Sequence, residues 1–221
     1  MDIVIVGAGG HGKVVLDIVR AQGRHRVIGF IDSDPELAGT SVGGVPVLGR
    51  ANLIARLPEQ RVRTAIVAIG DNRAREQYAA LVVQHGLELT SAVHPSAIVS
   101  PSATIGRNVV IAPGAIIGPD VRIDDSAIIN SAAIIEHECQ IGRAVHICPA
   151  AALAGRVVVE PSAFVGLGSR IIQCLRIGRG AIIGAGAAVI TDIPAGATAV
   201  GVPARVIKQA PAPSDRELVL S

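Results

Sequence analysis

Aromatic side chains are almost missing from this 221-residue sequence, which has no tryptophan and only Phe30, Tyr78 and Phe164. Single-stranded nucleic acids are bound on stacking platforms, so this scarcity argues against that class of partner. An excess of one charge is missing too: 20 Lys and Arg face 18 Asp and Glu, the formal net charge is +2, and no basic cluster occurs. Nucleic-acid binding is disfavoured on that count as well. Cys139, Cys148 and Cys174 are an odd number with no CxxC pair, which gives neither a disulfide framework nor a zinc site. Reduced thiols in a cytoplasmic protein, with no metal, are the expectation. The start, MDIVIVGAGG, has no basic segment of the signal-peptide kind, and no apolar run is long enough to cross a bilayer.

What the sequence does have is aliphatic bulk. Half of it is hydrophobic, supplied by Ile, Val, Leu and Ala, which suits narrow and repetitively packed interiors. The length allows one large domain or two modest ones. Strand and helix signals alternate in the front part: strands at 3–6, 27–31 and 64–69, helices at 11–21, 51–57 and 73–85. Alternation at these lengths predicts a parallel sheet with crossover helices.

Near His94-Pro95 the pattern changes. From Val99 an aliphatic residue recurs every sixth position through Ile105, Ile111, Ile117, Ile123 and Ile129, and on to Val189 without a miss. Four residues after most of them stands something small or β-branched, as at Ala103, Ala115, Ala133 and Ala163. A period of six is neither helical nor simple strand alternation. It is the signature of a solenoid in which each hexapeptide forms one face and three faces complete a coil of about 18 residues. The sixth-position aliphatics then stack in an inner column, and each coil buries its neighbours' faces. Residues 99–189 allow about five coils. The boundaries expected are 1–92 for the α/β domain, 93–208 for the solenoid and 209–221 for a flexible tail.

The repeat and the closing Gly201-Val202-Pro203-Ala204 resemble the hexapeptide acyltransferases, whose coil is a left-handed parallel β-helix. Two further motifs are Gly7-Ala-Gly-Gly-His-Gly12 and Ile135-Glu-His-Glu-Cys139. With them the chain resembles the nucleotide-sugar N-acetyltransferases of the bacillosamine, perosamine and sialic-acid O-acetyltransferase type. That resemblance implies a half-Rossmann front domain that holds a nucleotide-linked amino sugar, and a β-helix along which acetyl-CoA lies. It also implies a homotrimer with sites between subunits, a cytoplasmic setting and a role in surface-polysaccharide biosynthesis.

Taken by itself, Gly7-x-Gly9-x-x-Gly12 with Asp32 twenty residues on is a dinucleotide fingerprint, because glycines admit phosphates to backbone amides at a helix N-terminus. An NAD-binding oxidoreductase therefore stays open, as does a plain tight turn. Only about 90 residues precede the repeat, roughly half of a full dinucleotide fold. By motif matching to the family, Gly9, Gly10 and His11 line the acceptor, Asp32 and Ser33 lie near its base or ribose, and Gly70 ends the third strand.

His137 stands two residues after the inward Ile135, flanked by Glu136 and Glu138. A carboxylate that accepts one ring N–H fixes the tautomer and leaves the other nitrogen as a base. The family match makes His137 the general base and Glu138 its support. His146, Leu167 and Ala185 match acetyl-CoA contacts, and Asn130 is expected near the thioester. Packing alone also explains the three contacts. Cys139 occupies the small-residue slot, where a buried thiol is inert. The reaction expected is direct N-acetylation at C4 of the sugar, with no acyl-enzyme and an oxyanion held by a backbone N–H. Sugar O-acetylation and a non-catalytic scaffold are the remaining rivals. Light scattering is expected to show self-association, since Ala150-Ala151-Ala152 and Ile182-Ile183 read as uncharged surface.

Overall fold

A computed structural model describes residues 1–59 and 61–211. The tail expected at 209–221 therefore lies, beyond Pro211, outside the described residues.

The front part opens with β1 (Asp2–Val6), α1 (Gly10–Gln22) and β2 (Arg26–Ile31), followed by β3 (Ser41–Val42) and β4 (Val45–Gly49). A 3-10 helix (Ala51–Arg56) replaces the expected short helix and leads to β5 (Thr64–Val67), α2 (Asn72–Gln84) and β6 (Glu88–Leu89). These strands form one sheet in the order β3-β4-β2-β1-β5-β6, parallel except for the β3–β4 hairpin. β1 is central and buried on both sides, so its IVIV run is continuous rather than alternating. The third strand ends two residues earlier than the sequence predicts, because Ala68 and Ile69 turn away to floor a cavity.

From Ala92 to Val189 the chain winds into three parallel sheets of two-residue strands, and an antiparallel pair, Ala197–Val200 with Arg205–Gln209, closes the first of them. The pairing begins at β7 (Ala92–Val93), one strand before the first in-register residue of the sequence pattern. Each strand pairs with the one a coil away, as Ile117 with Ile135 and Ile135 with Leu153. The sixth-position residues and the small residues four later interlock in one inner cluster running from Val109 to Ala204. The corners carry the turn. Non-glycine residues at one corner position after another, from Asn108 and Asp120 through Glu138 to Ser162 and Cys174, sit at φ between 54° and 62°. Such left-handed backbone is costly for a lone side chain. From Ser126 to Cys174 these corner N–H groups donate to a carbonyl of the preceding coil, as Glu138 to Pro119 at 2.9 Å and Arg156 to His137 at 2.9 Å, while Asp120 N–H donates to Ser102 Oγ at 2.9 Å.

The three faces differ outside. On the first face Ala92, Val110, Ala112 and Ile128 are covered by the front domain, in one cluster with Val15, Leu16 and Val19 of α1. The third face presents Thr104, Arg122, Gln140, Val158 and Arg176. The second presents Ile98, Ile116, Ile134 and Ala152 in successive coils, with Ile98 65% exposed. This row corrects the sequence reading of the apolar surface. Ala151 and Ile183 are fully buried, because the slot four after each inward aliphatic, and the inward position itself, point to the core. Only Ala150, Ala152 and Ile182 of those two runs reach the surface.

Candidate functional site

The glycine motif divides into two jobs. A Cβ on Gly12 would strike the carbonyl of Gly7, and one on Gly7, whose φ is 106°, would meet the carbonyl of Ala68 at 2.6 Å. Those two glycines let α1 pack tightly against the sheet. Gly9 and Gly10 have nothing near a built Cβ and open instead onto a cavity of about 290 Å³. Gly9, Gly10, His11, Asp32, Ser33 and Gly70 all line that cavity, with Tyr78 beside them. One cavity thus brings together all six residues expected to hold the acceptor.

Asp32 is partly committed within the fold. Its Oδ2 accepts from the backbone N–H of Ala8 at 2.6 Å and its Oδ1 from that of Asp34 at 2.9 Å. It ties the glycine turn to the loop after β2 and so shapes the cavity rim. A neighbouring cavity of about 410 Å³ shares Ser33 and Tyr78 and adds Arg50 and Asn52. Sequence reading missed both residues, which lie in no motif.

His137 lies elsewhere. It belongs to the corner between the second and third faces, half-exposed, with Nδ1 2.9 Å from Glu138 Oε2. Glu138 is the left-handed corner residue, with φ 60°. The corner geometry aims its carboxylate back at the ring. With Nδ1–H donated to Glu138, the lone pair resides on Nε2. The Nε2 edge lies over Gly155, where a built Cβ would strike it. Gly155 follows His137 by one coil, and that 18-residue spacing is the signal that would have found it.

Cys139 is fully buried, donates Sγ–H to the carbonyl of Ala154 at 3.2 Å, and has its thiol pushed up to about 11 by burial. A thiol so placed is protonated at neutral pH and is not a nucleophile. Cys148 is likewise raised to about 11 by burial.

His146 faces outward on the first face at the seam with the front domain. Its ring lies 6.5 Å from that of His11 and edge-on to Phe164 at 5.2 Å, and Asn130 Nδ2 is 3.3 Å from its Nε2. Burial lowers both imidazoles to about 4. For His146 the Arg75 guanidinium adds to that effect, and for His11 both His146 and Arg75 do. Both rings are neutral at physiological pH. Leu167 and Ala185 are exposed one above the other, a coil apart, at the corner between the first and second faces. The leucine carbonyl accepts from Gly186 N at 2.8 Å. A further cavity, about 550 Å³, runs from Gly70 and Asn72 to Phe164 and Ile182 and extends the seam toward that corner. His137 lines none of these cavities. Among the described residues no group of His, Cys, Asp and Glu is placed to hold a metal, and no helix is long and apolar enough to cross a membrane.

Residues 2–82 match the family described as the PglD N-terminal domain. The chain is similar to the crystal structure of PerB from Caulobacter crescentus in complex with CoA and GDP-perosamine. Identity is 43% over 94% of this chain and 98% of that one, with a TM-score of 0.90. The acetyltransferase domain of PglB from Neisseria gonorrhoeae is 35% identical over 93% of this chain and 99% of that one, with a TM-score of 0.87. A Bacillus subtilis UDP-N-acetylbacillosamine N-acetyltransferase is 39% identical over 110 residues, and this match spans 48% of each protein. The front sheet and the six-residue coil are thus the parts of one known fold, and the chain belongs to the nucleotide-sugar N-acetyltransferases of the bacillosamine and perosamine type.

Proposed function

We propose that this protein transfers the acetyl group of acetyl-CoA to the amino group, at C4, of a nucleotide-linked amino-deoxy sugar. The observation that carries the mechanism is the 2.9 Å contact between His137 Nδ1 and Glu138 Oε2, with the Nε2 edge left free over Gly155. The sugar amine attacks the thioester carbonyl, and His137 Nε2 takes the proton as the C–N bond forms. A backbone N–H of the coil stabilises the oxyanion. When the C–S bond breaks, the proton leaves with the coenzyme A thiol. Glu138 stabilises the imidazolium in between. Transfer is direct, which the buried, protonated state of Cys139 supports.

Residues 1–92 hold the nucleotide end of the acceptor through Gly9, Gly10, His11, Ser33 and Gly70, with Asp32 fixing the rim. Residues 93–208 carry acetyl-CoA along His146, Leu167 and Ala185. PerB, similar over nearly the whole chain, is solved with CoA and GDP-perosamine, which supports the same ligand pair here.

The active enzyme is a homotrimer in this reading. The front domain covers the first face at Ala92, Val110 and Ile128 and the third carries Arg122, Gln140 and Arg176, so the apolar row Ile98, Ile116, Ile134 and Ala152, ended by Arg170, is the part to be buried against copies. When three prisms turn their second faces to a common axis, the corner bearing His137 meets the neighbour's corner bearing Leu167 and Ala185. Each site then draws its base from one subunit and its ligand surface from the next. The reduced thiols and the substrates suit the cytoplasm.

The deciding assay is release of coenzyme A from acetyl-CoA in the presence of GDP- and UDP-linked 4-amino-4,6-dideoxy sugars, with hydroxyl sugars as the comparison. Turnover with an amine acceptor is expected. Turnover with hydroxyl acceptors alone would replace N- by O-acetylation, and nicotinamide binding without coenzyme A release would remove the acetyltransferase reading.

A further inference from the structure

Arg75, on α2, is fully buried, and burial draws its guanidinium down only to about 10, so it is charged at neutral pH. A buried charge persists only when its donors are satisfied. Its Nε donates to Ser126 O at 2.7 Å, and Nη1 to the carbonyls of Ile69 at 2.9 Å and Gly70 at 3.1 Å. Nη2 donates to Asn72 Oδ1 at 2.7 Å, Ala144 O at 3.0 Å and Val145 O at 3.4 Å.

These acceptors fall into two groups. Ser126 and Ala144 are left-handed corner residues of successive coils, and Val145 directly precedes His146. Ile69 and Gly70 line the acceptor cavity. One planar fork therefore spans from the cavity floor to the main chain that carries His146. Simple docking of the domains does not require this. The seam is already held by Asn108 Oδ1, which accepts from Val67 N at 2.7 Å, and by the Arg143–Glu76 ion pair. Asn72 Nδ2 adds bonds to the carbonyls of Ser162 at 3.0 Å and Ala163 at 3.2 Å, in the next coil. The two Nη1 bonds hold the cavity floor and nothing else.

We infer that Arg75 is a positioning residue for the acceptor. It sets the height of the Ile69–Gly70 floor on the coil stack, so that a sugar held by the front domain meets acetyl-CoA at the level of His146. The inference rests on the proposed reaction. A lysine at this position keeps the charge but cannot bond the floor and the coil at once.

The test measures KM for the amino-sugar nucleotide and for acetyl-CoA, with the melting temperature, in wild type, Arg75→Lys, Asn72→Ala and Arg143→Lys. Arg75→Lys is expected to raise the acceptor KM and lower its kcat/KM by about 10- to 100-fold, a misplacement near 1 Å costing up to about 100-fold in rate, with the acetyl-CoA KM unchanged. Asn72→Ala leaves the guanidinium in place but loosened, and moves the acceptor KM less in the same direction. Arg143→Lys lowers the melting temperature and leaves both KM values where they were. A lowered melting temperature with no split between the two KM values in Arg75→Lys would overturn the inference. If that variant does not fold, an unchanged acceptor KM in Asn72→Ala overturns it instead. Failure of the wild-type chain to turn over any amine acceptor would strike the proposed reaction. Equilibrium binding of GDP and UDP to the same proteins would then read Arg75's part alone, with unchanged affinity counting against it.

Discussion

Two histidines of the β-helix stand nine residues apart in sequence and in opposite electrostatic settings. His137 is half-exposed with a carboxylate on one ring nitrogen, whereas His146 is tucked into a seam where burial and a nearby guanidinium hold it neutral. The first setting suits a ring that must gain and lose a proton. The second suits one that contributes shape and a neutral hydrogen bond. Residue type does not make this distinction. Position does: one side chain lies beside a left-handed corner, the other in mid-strand facing a second domain.

The sharpest way to break the contrast is to remove the proposed base. His137→Asn keeps a polar side chain at the corner, so the coil should fold unchanged while kcat falls by roughly 10²–10⁴-fold. Near-normal turnover in steady-state assays would move the base elsewhere, with His146 the first alternative. Gly155→Ala comes next. The methyl would occupy the space of the Nε2 edge, and a loss in kcat of about tenfold or more is expected, with acceptor KM little changed. Glu138→Ala should cost less than His137→Asn, since it removes the support and spares the base. A Glu138→Ala loss as large as that of His137→Asn would make the carboxylate an equal partner.

Stability against pH probes the other histidine. His11 and His146 titrate near 4 in the folded protein and near 6.5 when unfolded. Between those values the unfolded chain binds protons that the native state refuses, so stability is full above about pH 6.5 and falls as pH drops toward 4. The slope is at most about 1.4 kcal/mol per pH unit for each ring. Thermal melts from pH 7.5 to 4.5 should show the decline, and His146→Asn should flatten it. A melting temperature insensitive to pH in that window would mean that the seam opens to water. The smallest effect is reserved for Cys139→Ala, which should leave kcat and both KM values unchanged. Lost turnover there would bring back a covalent route.

Much of this was legible in the sequence because a period of six has one geometric meaning. The inward column, the small-residue slot and the burial of Cys139 followed from register alone. The front sheet was readable where strands and helices carry continuous apolar runs, and not at β3 and β6, two residues each, or at β4, whose VPVLG run contains a proline. The cavity at the front domain was reached through a motif in which Gly7 and Gly12 have a steric reason and Gly9 and Gly10 leave open space, and the comparison structures fixed the family. What stayed hidden was relational. Arg75 sits in an ordinary amphipathic helix, and its acceptors on the coils are main-chain carbonyls 51, 69 and 70 residues away. No residue type announces a carbonyl. Gly155 was hidden differently, since its partner is read only once the chain is folded into rows of 18.

Those rows give the molecule a graduated scale. Each coil advances the stack by the spacing of neighbouring strands, about 4.8 Å, and every corner offers a side chain the same outward aim. Duplicating or deleting one coil between His137 and Leu167 would therefore shift one relative to the other by a whole graduation, leaving its angular position unchanged. Length along the axis is adjustable only in such steps, whereas chemistry at any one graduation changes with a single corner residue. A scaffold of this kind explores new acyl donors by counting coils, and new acceptors by exchanging what is docked on its side.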